Sequence, residues 1–278
     1  MRIATVVFAF LLACSDDETV AMDAAIDAAR DASVDATPDA IGDATPLDAM
    51  ADAVPRDAGA DGDASPDGGS SAIRVTGTCG TLDDELTSTA PASFSNAIVV
   101  SMGGIVATNL SAGAQRILAE PNAGGSSRYS EAVAYEVLEQ CEGATLHATE
   151  TEVEYMTMMP PSRTDLVVDF AATRIGVGVT RSFAFGGVCM PSPSLAAAAA
   201  TEQLRDKLAD IVDSTGAVAD ADRWVKQILF ILVRSLEDAA TVVAAWNGLD
   251  TERGDTVLYV VSSSGSDNQI FFEDRCPP

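Results

Sequence analysis

Between residues 15 and 72 an aspartate returns at almost every fourth position, and that spacing limits how much of this 278-residue chain can fold. Asp23, Asp27, Asp31, Asp35, Asp39 and Asp43 keep the interval, and Asp48, Asp52, Asp57 and Asp61 continue it more loosely. A helix would stack these carboxylates on one face, where like charges repel by a few tenths of a kcal/mol per pair. Pro38, Pro46, Pro55 and Pro66 would interrupt it as well. The intervening residues are mainly Ala, Thr, Ser, Gly and Pro, so there is almost no large apolar surface to bury. The segment therefore reads as a solvated, extended tether. Its fifteen acidic residues face only Arg30 and Arg56, a net of −13, and self-repulsion stiffens it. A chain of this length spans roughly 60–150 Å. A calcium-binding repeat is the sharper alternative, but the dense Gly-Asp alternation of such repeats is missing.

Ahead of the tether, Arg2 precedes an apolar run over 3–12, with Thr5 as its one polar residue, too short to cross a bilayer as a helix. Leu11-Leu12-Ala13-Cys14 closes that run, and Ser15-Asp16-Asp17-Glu18 follows at once. This resembles a bacterial lipoprotein signal, whose lipobox ends in the cysteine that is acylated and becomes the mature N-terminus. The resemblance implies a signal peptide over 1–13, lipidation at Cys14 and export, with the lipid bilayer as partner through the acylated cysteine. Ser15 behind the cysteine points to the outer membrane or cell surface. One acyl chain anchors only marginally, so stable retention needs the several chains that such a cysteine receives.

The lipidated cysteine and tether occupy 14–72, and 73–278 is long enough for one folded domain with a proper core. That domain carries 27 acidic and 13 basic residues, a net of −14. Such a charge disfavours nucleic acid as a partner, because phosphate binding depends on clustered Lys and Arg. The partner is instead an unnamed protein or ligand. Four cysteines remain: Cys79, Cys141, Cys189 and Cys276. They form no Cys-x-x-Cys pair, and His147 is the only histidine, which argues against zinc. In an exported domain they suggest two disulfides with three possible pairings. Cys79 opens the domain and Cys276 nearly closes it, which favours a staple between the ends and leaves Cys141 with Cys189. The lone His147 also lacks a Gly-x-Ser-x-Gly elbow and reads as a half-exposed strand residue. Trp224 and Trp246 read as core.

Hydrophobic periodicity predicts strands in 73–79 and 94–108 and a Gly/Ser loop over 122–127. It then predicts a helix over 131–140, capped by Ser130 and ended near Gly143. Strands follow at 145–156, 164–171 and 174–185, the last two joined by a hairpin at Ala172-Thr173. A helix over 195–213 rides on its alanine run, and the apolar stretch 226–233 reads as a buried central strand. Ser235 caps a helix over 237–249, a strand occupies 256–262, and Ile270-Phe271-Phe272 reads as a final strand. The order α-β-β-β-α-β-α-β predicts an α/β fold, a mixed sheet flanked by helices.

Within that order, certain residues fall at telling places. Tyr129-Ser130-Glu131-Ala132 opens the first helix, and Thr164-Asp165-Leu166-Val167-Val168 opens the second strand. The third strand reads Ile175-Gly176-Val177-Gly178-Val179-Thr180-Arg181. Over about 128–262 the pattern resembles the PD-(D/E)XK nuclease-like superfamily. In that family the third strand carries a glutamate where Gly178 stands and a lysine where Thr180 stands. The resemblance implies a nuclease-like core whose motif is degenerate. Phosphodiester hydrolysis there needs carboxylates to hold Mg²⁺ or Mn²⁺ and a lysine to steady the attacking water. Glu131 and Asp165 would remain as ligands. Glu152 or Glu154 on the preceding strand could add an acid, and Lys207 on the next helix could reach in. Arg181 points to the opposite face from Thr180 and replaces nothing. The expected function is a lipid-anchored, exported domain that serves binding or structure without catalysis and needs no cofactor. The alternative is a metal-dependent phosphodiesterase with a rearranged site, the only reading under which Mg or Mn is required.

Overall fold

The computed structural model describes residues 71–82, 84–101, 103–120, 128–187, 193–263 and 268–272. The lipobox with Cys14, the tether up to residue 70, the 122–127 loop, Cys189 and Cys276 lie outside the described residues. In chain order the elements are β1 (Ile73–Thr76), β2 (Ala92–Val100), α1 (Ala112–Ala119), α2 (Arg128–Glu142), β3 (Thr145–Thr149), β4 (Leu166–Phe170), β5 (Thr173–Ser182), α3 (Ala197–Ala217), β6 (Lys226–Val233), α4 (Leu236–Asn247), β7 (Val257–Ser263) and α5 (Asn268–Phe272). Short 3₁₀ turns occur at Ala107–Asn109 and Thr251–Arg253.

The strands form one seven-stranded mixed sheet in the order β1-β2-β7-β6-β5-β4-β3. β3, β4 and β5 make an antiparallel meander, and the α3 crossover then brings β6 in parallel to β5. β7 and β2 continue the parallel half, and β1 closes that edge antiparallel. β6 is the middle strand and is buried along its whole length. Its alternation explains why it reads as continuously apolar. Ile228, Phe230 and Leu232 enter the core under α1, α2 and α5, while Leu229, Ile231 and Val233 enter the core under α3 and α4. A third, smaller cluster of Ala148, Val153, Val167, Val218 and Trp224 fills the space beneath the 150–164 connection.

Local chemistry accounts for most boundaries. Ser235 caps α4 by accepting the Asp238 N–H at 3.0 Å. Gly143 takes φ +72 just past α2, where a left-handed residue lets the chain leave the helix. Gly113 lets α1 press onto α2, because a Cβ there would lie 2.2 Å from the Tyr135 ring.

Several expectations give way to the structure. α1 has eight residues and a glycine, too little periodicity to read, and is held by tertiary contact and by its Ser111 cap. The 94–108 stretch is strand only to Val100. Ser130 is inside α2, which begins at Arg128. β3 stops at Thr149 rather than 156, because Glu152 folds back to accept the Thr149 N–H at 2.9 Å and turns the chain. The β4–β5 hairpin turns at Ala171 and Ala172, with Ala171 left-handed at φ 51. Residues 268–272 are helical, and α5 buries Ile270 and Phe271 in the α2-side core. Cys79 pairs with Cys141, with Cα atoms 4.7 Å apart, so the Cys79–Cys276 staple and its Cys141–Cys189 complement are not formed. The chain places Cys79 beside the end of α2, where the Gly80 N–H donates to the Cys141 carbonyl at 2.9 Å. Among the described residues, no helix is long and apolar enough to cross a membrane.

Candidate functional site

Asp165 stands just before β4, and pairing of Leu166 with Val177 sets it against β5. Its N–H donates to the Val177 carbonyl at 3.1 Å, and its Oδ2 accepts the Val179 N–H at 2.6 Å. These two bonds straddle Gly178. A Cβ at Gly178 would meet no heavy atom within 4 Å, so the strand is open there. A cavity of about 110 Å³ occupies this position, lined by Asp165, Gly178, Lys207, Arg163, Asp210 and Gln227 among others.

The environment of Asp165 decides its charge. The residue keeps some exposed surface, but its carboxyl end is the enclosed part. Burial pushes its pKa from 3.8 up to about 8, and the negative charges of Glu131 and Glu150 push the same way. The Val179 N–H and the Lys207 ammonium pull downwards without prevailing. At neutral pH the group is mostly a neutral acid, able to donate as well as accept.

Lys207 stands in the middle of α3 and pairs with Asp210 one turn on, Nζ to Oδ2 at 2.8 Å. Glu131, in the first turn of α2, is 7% exposed and lines a separate small cleft with Arg128, Thr149 and Glu150. Burial raises the pKa of Glu150, opposed by Arg163. Glu154 is exposed on the loop after β3 rather than on a strand, and it does not line the Asp165 cavity. Glu152 is bound to Arg116. Thr180 accepts from Gln203 Nε2 at 3.2 Å, and the Arg181 guanidinium donates to the Phe271 carbonyl at 2.7 Å. Of the residues singled out from sequence, Asp165, Gly178 and Lys207 thus meet at one cavity; Glu131 lines the neighbouring cleft, near enough for its charge to act on Asp165, and Glu154 lies elsewhere.

These donors do not fit Mg²⁺ or Mn²⁺, which take several ionised or carbonyl oxygens at one point. Gly178 offers no side chain where a ligand would stand, Lys207 is paired with Asp210, and the Glu131 carboxylate lines the neighbouring cleft rather than this cavity. Among the described residues, no three His, Cys, Asp or Glu side chains are grouped to hold a metal ion.

Sequence reasoning missed Gln227. It is 3% exposed, and its Nε2 donates to the Ile211 carbonyl and to the Ser214 and Thr215 hydroxyls at 3.1, 2.9 and 2.7 Å. That fixes the amide orientation and leaves Oε1 buried with no partner among the described residues. An unmet buried acceptor costs about 1–3 kcal/mol. The signal was present: a glutamine next to Lys226 at the start of a central strand that is apolar from Ile228 onward is a polar group that the core must accommodate.

His147 sits at the register shift of β3 and is partly buried. Its Nδ1 lies 3.4 Å from Asp169 and its Nε2 3.3 Å from Asp222, with Arg174 3.2 Å from Nδ1. This ties the sheet edge to the 219–225 loop, and no nucleophilic hydroxyl joins it in the hydrogen bonds of the described residues. Trp224 and Trp246 are both buried, with Trp224 Nε1 donating to Thr215 at 3.1 Å.

No family model matches the chain. It is 40% identical over 164 residues to the AAC-rich mRNA clone AAC4 protein of Dictyostelium discoideum, a match covering 57% of this chain and 23% of that protein. The chain thus spans under a quarter of that relative's length. Among solved structures, SfsA of Pyrococcus furiosus in complex with Ca²⁺ is similar over 52% of this chain and 68% of that one, at 12% identity and a TM-score of 0.26. A likeness at that score carries no argument about fold or activity.

Proposed function

We propose that 73–278 is a PD-(D/E)XK-like domain that binds a ligand without cutting it, presented on the acidic tether of an exported chain lipid-anchored at Cys14. The observation that carries this reading is the Asp165–Gly178 pair. The meander β3-β4-β5 with its crossover to β6 follows the order of the superfamily core. At the position where that family projects its glutamate there is open space beside a carboxyl that keeps its proton. Phosphodiester cleavage needs ionised ligands and a free lysine at that point, and Lys207 is engaged with Asp210. Binding needs only a shaped cavity with a few placed polar groups, and the buried Gln227 Oε1 asks for a donor.

The metal-dependent phosphodiesterase is kept as a second reading because Asp165 and Lys207 do share one cavity. Incubating the Cys14→Ser chain with DNA and RNA in Mg²⁺ or Mn²⁺ separates the two. The binding reading expects intact substrates and no thermal shift with metal. Metal-dependent cleavage lost in Asp165→Ala would overturn it in favour of the enzyme. For the anchor, Cys14→Ser is expected to release the chain from the membrane fraction, and an unchanged distribution would count against lipidation.

A further inference from the structure

Met156, Met158 and Met159 stand within four residues, and the fold displays all three, at 62%, 95% and 90% exposure. Methionine is the side chain best suited to filling irregular gaps in a core. These three are the methionines among the described residues, and the fold places all of them on one surface bend rather than in its hydrophobic clusters.

That bend is anchored at both ends. The Met156 N–H donates to the Ala217 carbonyl at 2.9 Å, and Tyr155 bridges to Val218. The Thr164 N–H donates to the Tyr155 hydroxyl at 2.7 Å, which closes the loop on itself. Arg163 lies over the Tyr155 ring at 5.1 Å and reaches the Met158 carbonyl at 3.5 Å. Pro160 and Pro161 restrict the backbone further. The main chain is held, and the three long side chains project from it.

We propose that Met156, Met158 and Met159 form a thioether site for Cu(I). Adjacent Cα atoms are only about 3.8 Å apart, so three flexible, unbranched arms from this bend can bring their sulfurs to one ion. Thioether sulfur is a soft donor and selects Cu(I) over Mg²⁺, Ca²⁺ or Zn²⁺. It carries no proton to lose, so binding is insensitive to pH across the range where thiolate and imidazole sites titrate. The neighbouring cation, Arg163, is occupied by the Tyr155 ring and by attraction to Glu150. A plain apolar docking patch would be served equally well by leucine, so the sulfur chemistry is what distinguishes the two.

The test uses the full chain with free thiols capped by N-ethylmaleimide. It is titrated anaerobically with Cu(I) against a chromophoric Cu(I) chelator, while the ¹³C-labelled methionine methyl resonances are followed. One equivalent of Cu(I) is expected to bind, with three methyl resonances moving together. Replacing all three residues by leucine keeps the surface apolar and is expected to weaken binding by on the order of tenfold or more. Met158→Leu alone is expected to weaken it several-fold, which keeps the test decisive if the triple variant folds poorly. Equal Cu(I) affinity in wild type and the leucine variants, or methyl resonances that move with Zn²⁺ as readily as with Cu(I), would overturn the proposal.

Discussion

Replacing Asp165 by asparagine is expected to stabilise the protein, and by an amount that grows with pH. In the unfolded chain this carboxyl ionises near its ordinary value of 3.8, whereas in the folded protein it holds its proton to about 8. Between those two values the folded state binds more protons than the unfolded state, so wild-type stability falls as pH rises. Below about pH 4 both states are protonated and the group contributes no penalty; above about pH 8 the loss is complete. A tenfold difference in proton affinity between the two states is worth about 1.4 kcal/mol, so the full penalty is on the order of 5 kcal/mol. Asparagine is neutral throughout and keeps an oxygen for the Val179 N–H now bonded at 2.6 Å. Urea unfolding followed by the fluorescence of the buried Trp224 and Trp246 measures both proteins at about pH 4.5, 6 and 8. The two stability curves are expected to start close together at acid pH and to separate by a few kcal/mol at pH 8. Parallel curves would refute the argument, because they would mean that Asp165 is ionised in the folded protein and available as a ligand.

Replacing Cys79 and Cys141 together by serine frees a loop with a sequence separation of 62, which the chain-entropy model equates with about 4 kcal/mol of lost stability, read from the urea midpoint. Gly178→Ala enters open space in a strand and is expected to raise stability by about 0.5–1 kcal/mol. Gly176→Ala, two residues away on the same face, gains nothing because its Cβ would lie 3.0 Å from Gln227 and from the Trp224 ring. Equal melting shifts for the two variants would contradict that contrast. Gly113→Ala drives a methyl into the Tyr135 ring and is expected to lower stability by about 1–3 kcal/mol in a thermal melt.

Elements whose residues face one environment along their whole length were legible. The 226–233 run is buried on both faces, and the helix after Ser235 carries its own cap, so local pattern and tertiary fate agree. Elements defined by partners were not. α1 exists because Gly113 admits the Tyr135 ring, and β3 ends where Glu152 turns back on Thr149. Ile270-Phe271-Phe272 has the composition of a strand, yet it forms the last turn of helix over the α2-side core. Within the site, the positions of Asp165 and Gly178 followed from the hairpin register, which alternation predicts. Glu131 could not be placed that way, since two carboxylates on different elements meet or part according to how a helix docks on a sheet.

The amino-acid sequence alone determines that the folded part is α/β and that Gly178 and Thr180 bring neither acid nor base to the third strand of the meander. Those conclusions need only side-chain chemistry and short-range periodicity. The tertiary structure alone decided that Cys79 reaches Cys141, that Gln227 carries an unmet acceptor beside the cavity, and that burial raises the pKa of Asp165. Each depends on distances between residues far apart in the chain and on the exclusion of water from one carboxyl. Packing sets both, and no local pattern encodes them.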